Sequence, residues 1–164
     1  MFSRILLAVD GTPSGEVATS FAAALARRGG AQVRVVHVNE LLVGGRGVTA
    51  ETEREAMRVV DEAVGTLAGA GVRADGVHFV ANCFTVCTRI ADAAHEWGAD
   101  VIVLGSRRRR RLGRLFGKGL RERITAVTDL PTLVAPPPLR VDGRLRLADL
   151  PTDAPTPPQS TLAR

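Results

Sequence analysis

The tightest constraint on this chain is a rhythm: short, wholly apolar runs alternate with stretches of helical periodicity. Ile5-Leu6-Leu7-Ala8-Val9 contains no polar residue, as expected of a strand covered on both faces. Gly11-Thr12-Pro13-Ser14 breaks the run, placing Thr12 as an N-cap and Pro13 at the first helical position. Val17, Phe21, Ala24 and Leu25 then mark the expected buried face of a helix that stops at Gly29-Gly30. Val33, Val35, Val36 and Val38 form a second strand.

The alternation continues. A glycine-rich stretch, 43–47, leads into an expected helix over 49–68, ended by the glycines at 69 and 71. A third strand is expected at 77–80. A helix over 85–97 follows, with Ile90, Ala93, Ala94 and Trp97 on one side and Gly98 as terminator. Residues 101–104 are a fourth apolar strand, 119–128 a short helix, and 133–135 a fifth strand, placed at an edge by Pro131. Strands joined by helices imply parallel pairing and right-handed crossovers, hence an α/β fold: a three-layer α/β/α sandwich on a five-stranded parallel sheet. Ligands bind such sheets beyond the carboxyl ends of the strands, where strand order reverses. Asp10-Gly11 and Gly105-Ser106 follow the first and fourth strands, so both deliver polar loops to one crevice.

Past Ala135 the composition changes. Prolines at 136–138, 151, 155, 157 and 158 flank one weakly apolar stretch, 139–150. The chain therefore divides into a domain over 1–135 and a tail, 136–164, expected to be largely disordered apart from a short segment docking on a partner subunit.

Composition narrows the function classes. At 164 residues, 45% hydrophobic and 24% charged, the chain can build one core. No apolar run approaches the ~20 residues that span a bilayer, so a membrane-spanning helix is excluded. The opening apolar run is shorter than a signal peptide and leads into Asp10-Gly11, so a cytoplasmic location is expected. The basic charge is local. Arg107, Arg108, Arg109, Arg110, Arg111, Arg114, Lys118, Arg121 and Arg123 are offset only by Glu122, a net +8. The whole chain is +5, leaving −3 elsewhere. Such a patch favours an anionic partner. Against a nucleic-acid reader, Phe116 is the only ring in the segment, and no reader motif accompanies it.

Cys83 and Cys87 stand four apart near a helix start, where a dipole can favour a thiolate, but buried thiols in a reducing compartment are the expected state. His78 and His95 lack metal-ligand spacing, so no metal site is expected. His37 reads as a strand histidine packed near the sheet end. No nucleophile–base pair or paired carboxylates stand out, so no catalytic residue is assigned and the chain is read as a non-enzyme.

Several segments together resemble the universal stress protein family. They are residues 5–10 with Gly11-Thr12-Pro13-Ser14, Val36-His37-Val38, and Ala99-Asp100-Val101-Ile102-Val103-Leu104-Gly105-Ser106 with a basic glycine loop after it. Glu122-Arg123 and Leu130-Pro131-Thr132-Leu133-Val134 complete the match. The resemblance implies an adenine nucleotide alpha hydrolase-like, Rossmann-like sheet, a stress-response role and a homodimer through the last strand, 131–135. It also implies that ATP-binding members place an aspartate and a valine on the nucleoside, here Asp10 and Val38. Asp10 has a second reading, as a cap of the strand-to-helix turn that accepts N–H bonds.

The family's ATP loop reads Gly, two residues, Gly, nine residues, Gly, then Ser or Thr. Gly105 matches its first glycine, Arg108 stands at the second, and Lys118-Gly119 stands at the final pair. Allowing a one-residue deletion puts Gly117-Lys118 there and does not restore the motif. A phosphate cradle uses backbone N–H groups at close range, and a Cβ blocks that approach. The missing hydroxyl also removes a ligand for phosphate or for a magnesium ion carried by ATP. Three functions follow: a non-catalytic, dimeric binding protein with impaired or altered nucleotide binding; an ATP binder whose Arg107, Arg108, Arg111 and Lys118 side chains hold the phosphates; and an interaction module built on the arginine patch.

Overall fold

Each apolar run becomes a strand of one sheet in the computed structural model, which describes residues 1–41, 48–106 and 120–137 and the strands at 139–141 and 144–146. Strands β1 (Arg4–Val9), β2 (Gln32–Leu41), β3 (Ala74–Asn82), β4 (Val101–Leu104) and β5 (Thr132–Val134) alternate with helices α1 (Pro13–Gly29), α2 (Glu53–Gly69), α3 (Val86–Trp97) and α4 (Leu120–Ile124). All pairs are parallel, in the order β3-β2-β1-β4-β5.

The sheet separates two apolar layers. Alternate residues of a strand face opposite sides. Ile5, Leu7, Val33, Val35 and Val103 meet Ala18, Ala22 and Ala26 of α1 and Val60, Ala63 and Leu67 of α2. Leu6, Val36, Ile102 and Leu104 meet Cys87, Ile90 and Ala94 of α3, and Ile124 of α4. Ile5, Leu6 and Leu7 are all 0% exposed, which is why β1 tolerates no polar position. Each such side chain stabilises the fold by roughly 1.5–3 kcal/mol relative to exposure.

The amino ends of the strands are tied separately. The Asp100 carboxylate accepts the backbone N–H groups of Ser3 and Arg4, and these bonds hold its carboxyl below the usual aspartate range. Arg4 donates to the Trp97 carbonyl at 2.7 Å, and Arg34 makes a two-bond pair with Asp75 at 2.7 and 2.6 Å. Both guanidinium groups lie over the Trp97 ring, 5.7 and 5.0 Å from its centroid.

Several expectations need correction. Thr12 is the N-cap residue, but its hydroxyl donates to Asp10 instead of accepting from the helix. The buried face of α1 is Ala18, Ala22, Ala23 and Ala26, while Val17, Phe21 and Leu25 are half-buried at its margins. Helix α2 starts at Glu53, not 49, because Thr52 and Glu55 form a capping box. Helix α4 stops at Ile124 rather than 128, β3 is longer than four residues, and β5 is one residue earlier than expected. In the tail, β6 (Leu139–Val141) and β7 (Arg144–Arg146) pair antiparallel, a hairpin the apolar pattern does not announce. The glycine-rich stretch, at 43–47, lies outside the described residues. Among the described residues no helix is long and apolar enough to cross a membrane.

Candidate functional site

Strand order reverses between β1 and β4, which lie side by side with Ala8 opposite Leu104. The segments beginning Asp10 and Gly105 therefore leave the sheet next to each other, as the alternation of elements implies.

Asp10 directs the first turn of α1. Its Oδ1 accepts the Thr12 N–H at 3.2 Å and the Thr12 hydroxyl at 2.5 Å. Gly11 turns the chain with φ +65°, and a Cβ at Gly15 would stand 3.2 Å from Asp10 Oδ1. Asp10 thus makes the turn-capping bonds of its second reading.

The other wall is closer still. A Cβ at Gly105 would lie 2.8 Å from the Ser14 carbonyl oxygen, so only glycine fits. Ser14 Oγ donates to the Ser106 carbonyl at 2.9 Å. The Ser106 hydroxyl is itself buried and has no hydrogen-bond partner among the described residues. Leaving a hydroxyl so costs about 1–3 kcal/mol, which a donor or acceptor in the crevice would offset. Both serines stand within the motifs that carry the family resemblance, but the sequence assigns neither a role.

On β2, Val38 is half-buried against the α3/α4 layer, while His37 and Asn39 point to the opposite face. His37 is 3% exposed. Its Nδ1 is 3.0 Å from the Val9 carbonyl oxygen, and its Nε2 is 2.6 Å from Glu51 Oε2. Asn39, also buried, clamps the Glu51 backbone, donating to its carbonyl at 2.7 Å and accepting its N–H at 3.1 Å. The Thr49 hydroxyl donates to the same carbonyl at 2.6 Å, and Ala50 N–H donates to Glu40 at 2.8 Å. Residues 49–51 therefore run back along the end of β2 and deliver the chain to α2. His37 is packed near the sheet end, as expected; its carboxylate partner, fourteen positions away, has no local signature.

The structure thus brings Asp10, Val38 and Gly105 to one end of the sheet. Arg108, Lys118 and Gly119 lie outside the described residues, as do Arg107, Arg109, Arg110, Arg111 and Arg114. Cys87 is buried, and that burial pushes its thiol up, partly opposed by the Arg123 charge. Cys83 is only half-buried, a correction to the expectation for both thiols. His95 meets Thr128 at 3.1 Å and Asp129 at 3.5 Å through the same nitrogen, which pins the turn before β5. Among the described residues no three His, Cys, Asp or Glu side chains converge as metal ligands.

The profile of the universal stress protein family matches residues 1–136. This chain belongs to that family. A universal stress protein from Archaeoglobus fulgidus superimposes with a TM-score of 0.65 at 27% identity, covering 83% of this chain and 95% of the other. The Archaeoglobus fulgidus universal stress protein in complex with dAMP gives 0.63 at 27% identity, covering 82% and 98%. A family protein from Burkholderia pseudomallei gives 0.62 at 26% identity, covering 82% and 96%. No curated protein matches the sequence. The universal stress protein fold accounts for the parallel sheet and its strand order.

Proposed function

We propose that this universal stress protein binds an adenine nucleotide at the carboxyl ends of β1, β2 and β4, and acts through that binding without turnover. The observation that carries the reading is the Ser106 hydroxyl, buried just past the end of β4 with no hydrogen-bond partner among the described residues, for which a hydrogen-bonding ligand is a natural complement. Asp10 and Val38 stand at the same end of the sheet, and the relative at 27% identity was crystallised with dAMP.

The nucleoside and phosphate ends differ in how well they fit. Asp10, Val38, Gly105 and Ser106 suit a ribose and base. The phosphate loop has Arg108 and Lys118-Gly119 where glycine and a hydroxyl belong, so phosphates would be held by charge from side chains instead of a backbone cradle. Bound nucleotide would stabilise the fold by linkage, giving a stress-responsive protein a ligand-dependent lifetime. Pairing of two copies through β5 belongs to the same reading, since β5 ends the sheet and pairs only with β4 among the described strands.

Calorimetric titration of nucleotide-stripped protein with AMP and with Mg-ATP tests this. Binding is expected for AMP, with Asp10→Ala weakening it about tenfold, the value of one charge-assisted hydrogen bond. No heat with either nucleotide, together with none copurified, would overturn the reading and turn attention to the arginine patch.

A further inference from the structure

We infer that His37 and Glu51 share a proton that positions the nucleoside end of the crevice. In this arrangement Nδ1–H holds the Val9 carbonyl, next to Asp10, and Nε2 holds the carboxylate that fixes residues 49–51 along the end of β2, just beyond Val38. The inference rests partly on the nucleotide reading, because positioning matters only if a nucleotide binds.

The argument is a count of donors and acceptors. A neutral imidazole has one N–H and one lone pair. His37 faces two acceptors, a backbone carbonyl at 3.0 Å and a carboxylate at 2.6 Å. The carbonyl can only accept, so Nδ1 carries hydrogen. Two lone pairs cannot meet at 2.6 Å, so a second proton lies between Nε2 and Oε2. Whichever atom carries it, the pair holds one proton more than a neutral imidazole beside a carboxylate. The imidazole is 3% exposed, so its two ring nitrogens are met by these protein groups, while the Glu51 side chain is 32% exposed.

Glu51→Gln is the discriminating variant. Its amide donates to a neutral Nε2 and keeps the link without the extra proton, whereas Glu51→Ala removes the link. In the nucleotide-free full chain, imidazole ¹⁵N shifts should show His37 protonated on Nδ1 with Nε2 sharing a proton at neutral pH. Exchange of the Ala50 and Glu51 amides should be slow in wild type and in Glu51→Gln, and faster in Glu51→Ala. AMP affinity should follow the same pattern, with Glu51→Ala roughly tenfold weaker and Glu51→Gln close to wild type at neutral pH. A bare Nε2 at neutral pH, or residue-51 exchange indifferent to Glu51→Ala, overturns the shared proton. AMP binding indifferent to Glu51→Ala overturns the positioning role and leaves the nucleotide reading intact. Absence of AMP binding in wild type overturns the nucleotide reading and the positioning role with it, and the free-protein measurements then decide the shared proton alone.

Discussion

Gly105 and Ser14 meet backbone to backbone: a Cβ on Gly105 would stand 2.8 Å from the Ser14 carbonyl oxygen and 3.0 Å from its carbon. The end of β4 and the first turn of α1 are therefore as close as two chains without a side chain between them can be. Gly105→Ala forces them apart, and neither partner is a flexible side-chain tip that can swing away. The expected cost is about 1–3 kcal/mol of stability, read by denaturant unfolding, with the proposed nucleotide site widened in the same variant. An unchanged midpoint would show that α1 yields more easily than the packing implies.

Asp100 links acidity to stability. Its carboxyl is held below the ordinary value by the Ser3 and Arg4 N–H groups, so the folded state binds this proton less readily than the unfolded chain does. Its contribution is complete above the unfolded-state value and fades as pH falls through the folded one. Asp100→Asn should lower the melting temperature at neutral pH by the loss of on the order of 1 kcal/mol, after solvent screening. The gap to wild type should close as the solution is acidified. A gap constant across pH would show that the charge contributes nothing.

Thr52 makes the capping box with Glu55 that starts α2, and its N–H and hydroxyl both bond the Glu55 carboxylate at 2.8 Å. Thr52→Ala is expected to cost about 1 kcal/mol, measurable by chemical denaturation. Because Thr52 directly follows Glu51, the same substitution should quicken amide exchange in the first turn of α2 before it affects the sheet.

What the sequence discloses depends on whether the information is local. Strand β4 is legible to the residue because Val101, Ile102, Val103 and Leu104 are all buried, and an unbroken apolar run has no other explanation. The crevice is legible from topology alone, since it needs only the order of elements. The face of α1 is not. Large side chains invite assignment to the interior, yet the closest approach to the sheet is made by alanines, while Phe21 and Leu25 pack around them. The start of α2 is written in Thr52 and Glu55, but Thr49 offers a competing start that only its bond to the Glu51 carbonyl removes. The His37–Glu51 pair depends on the fold bringing a strand and a distant turn together, and no spacing rule contains it.

The alanines of α1 have a mechanical consequence. Ala18 and Ala22 are 0% exposed and Ala26 1%, so the helix rides against the sheet on methyl groups with no slack beneath it. Its first turn is the wall that meets Gly105. Any gain in volume under the helix, as in Ala22→Val, lifts the far end of the same rigid rod and opens the gap at Ser14. The aperture of the crevice is thereby set by the thickness of the core, and substitutions that never touch a ligand can retune how the protein holds one.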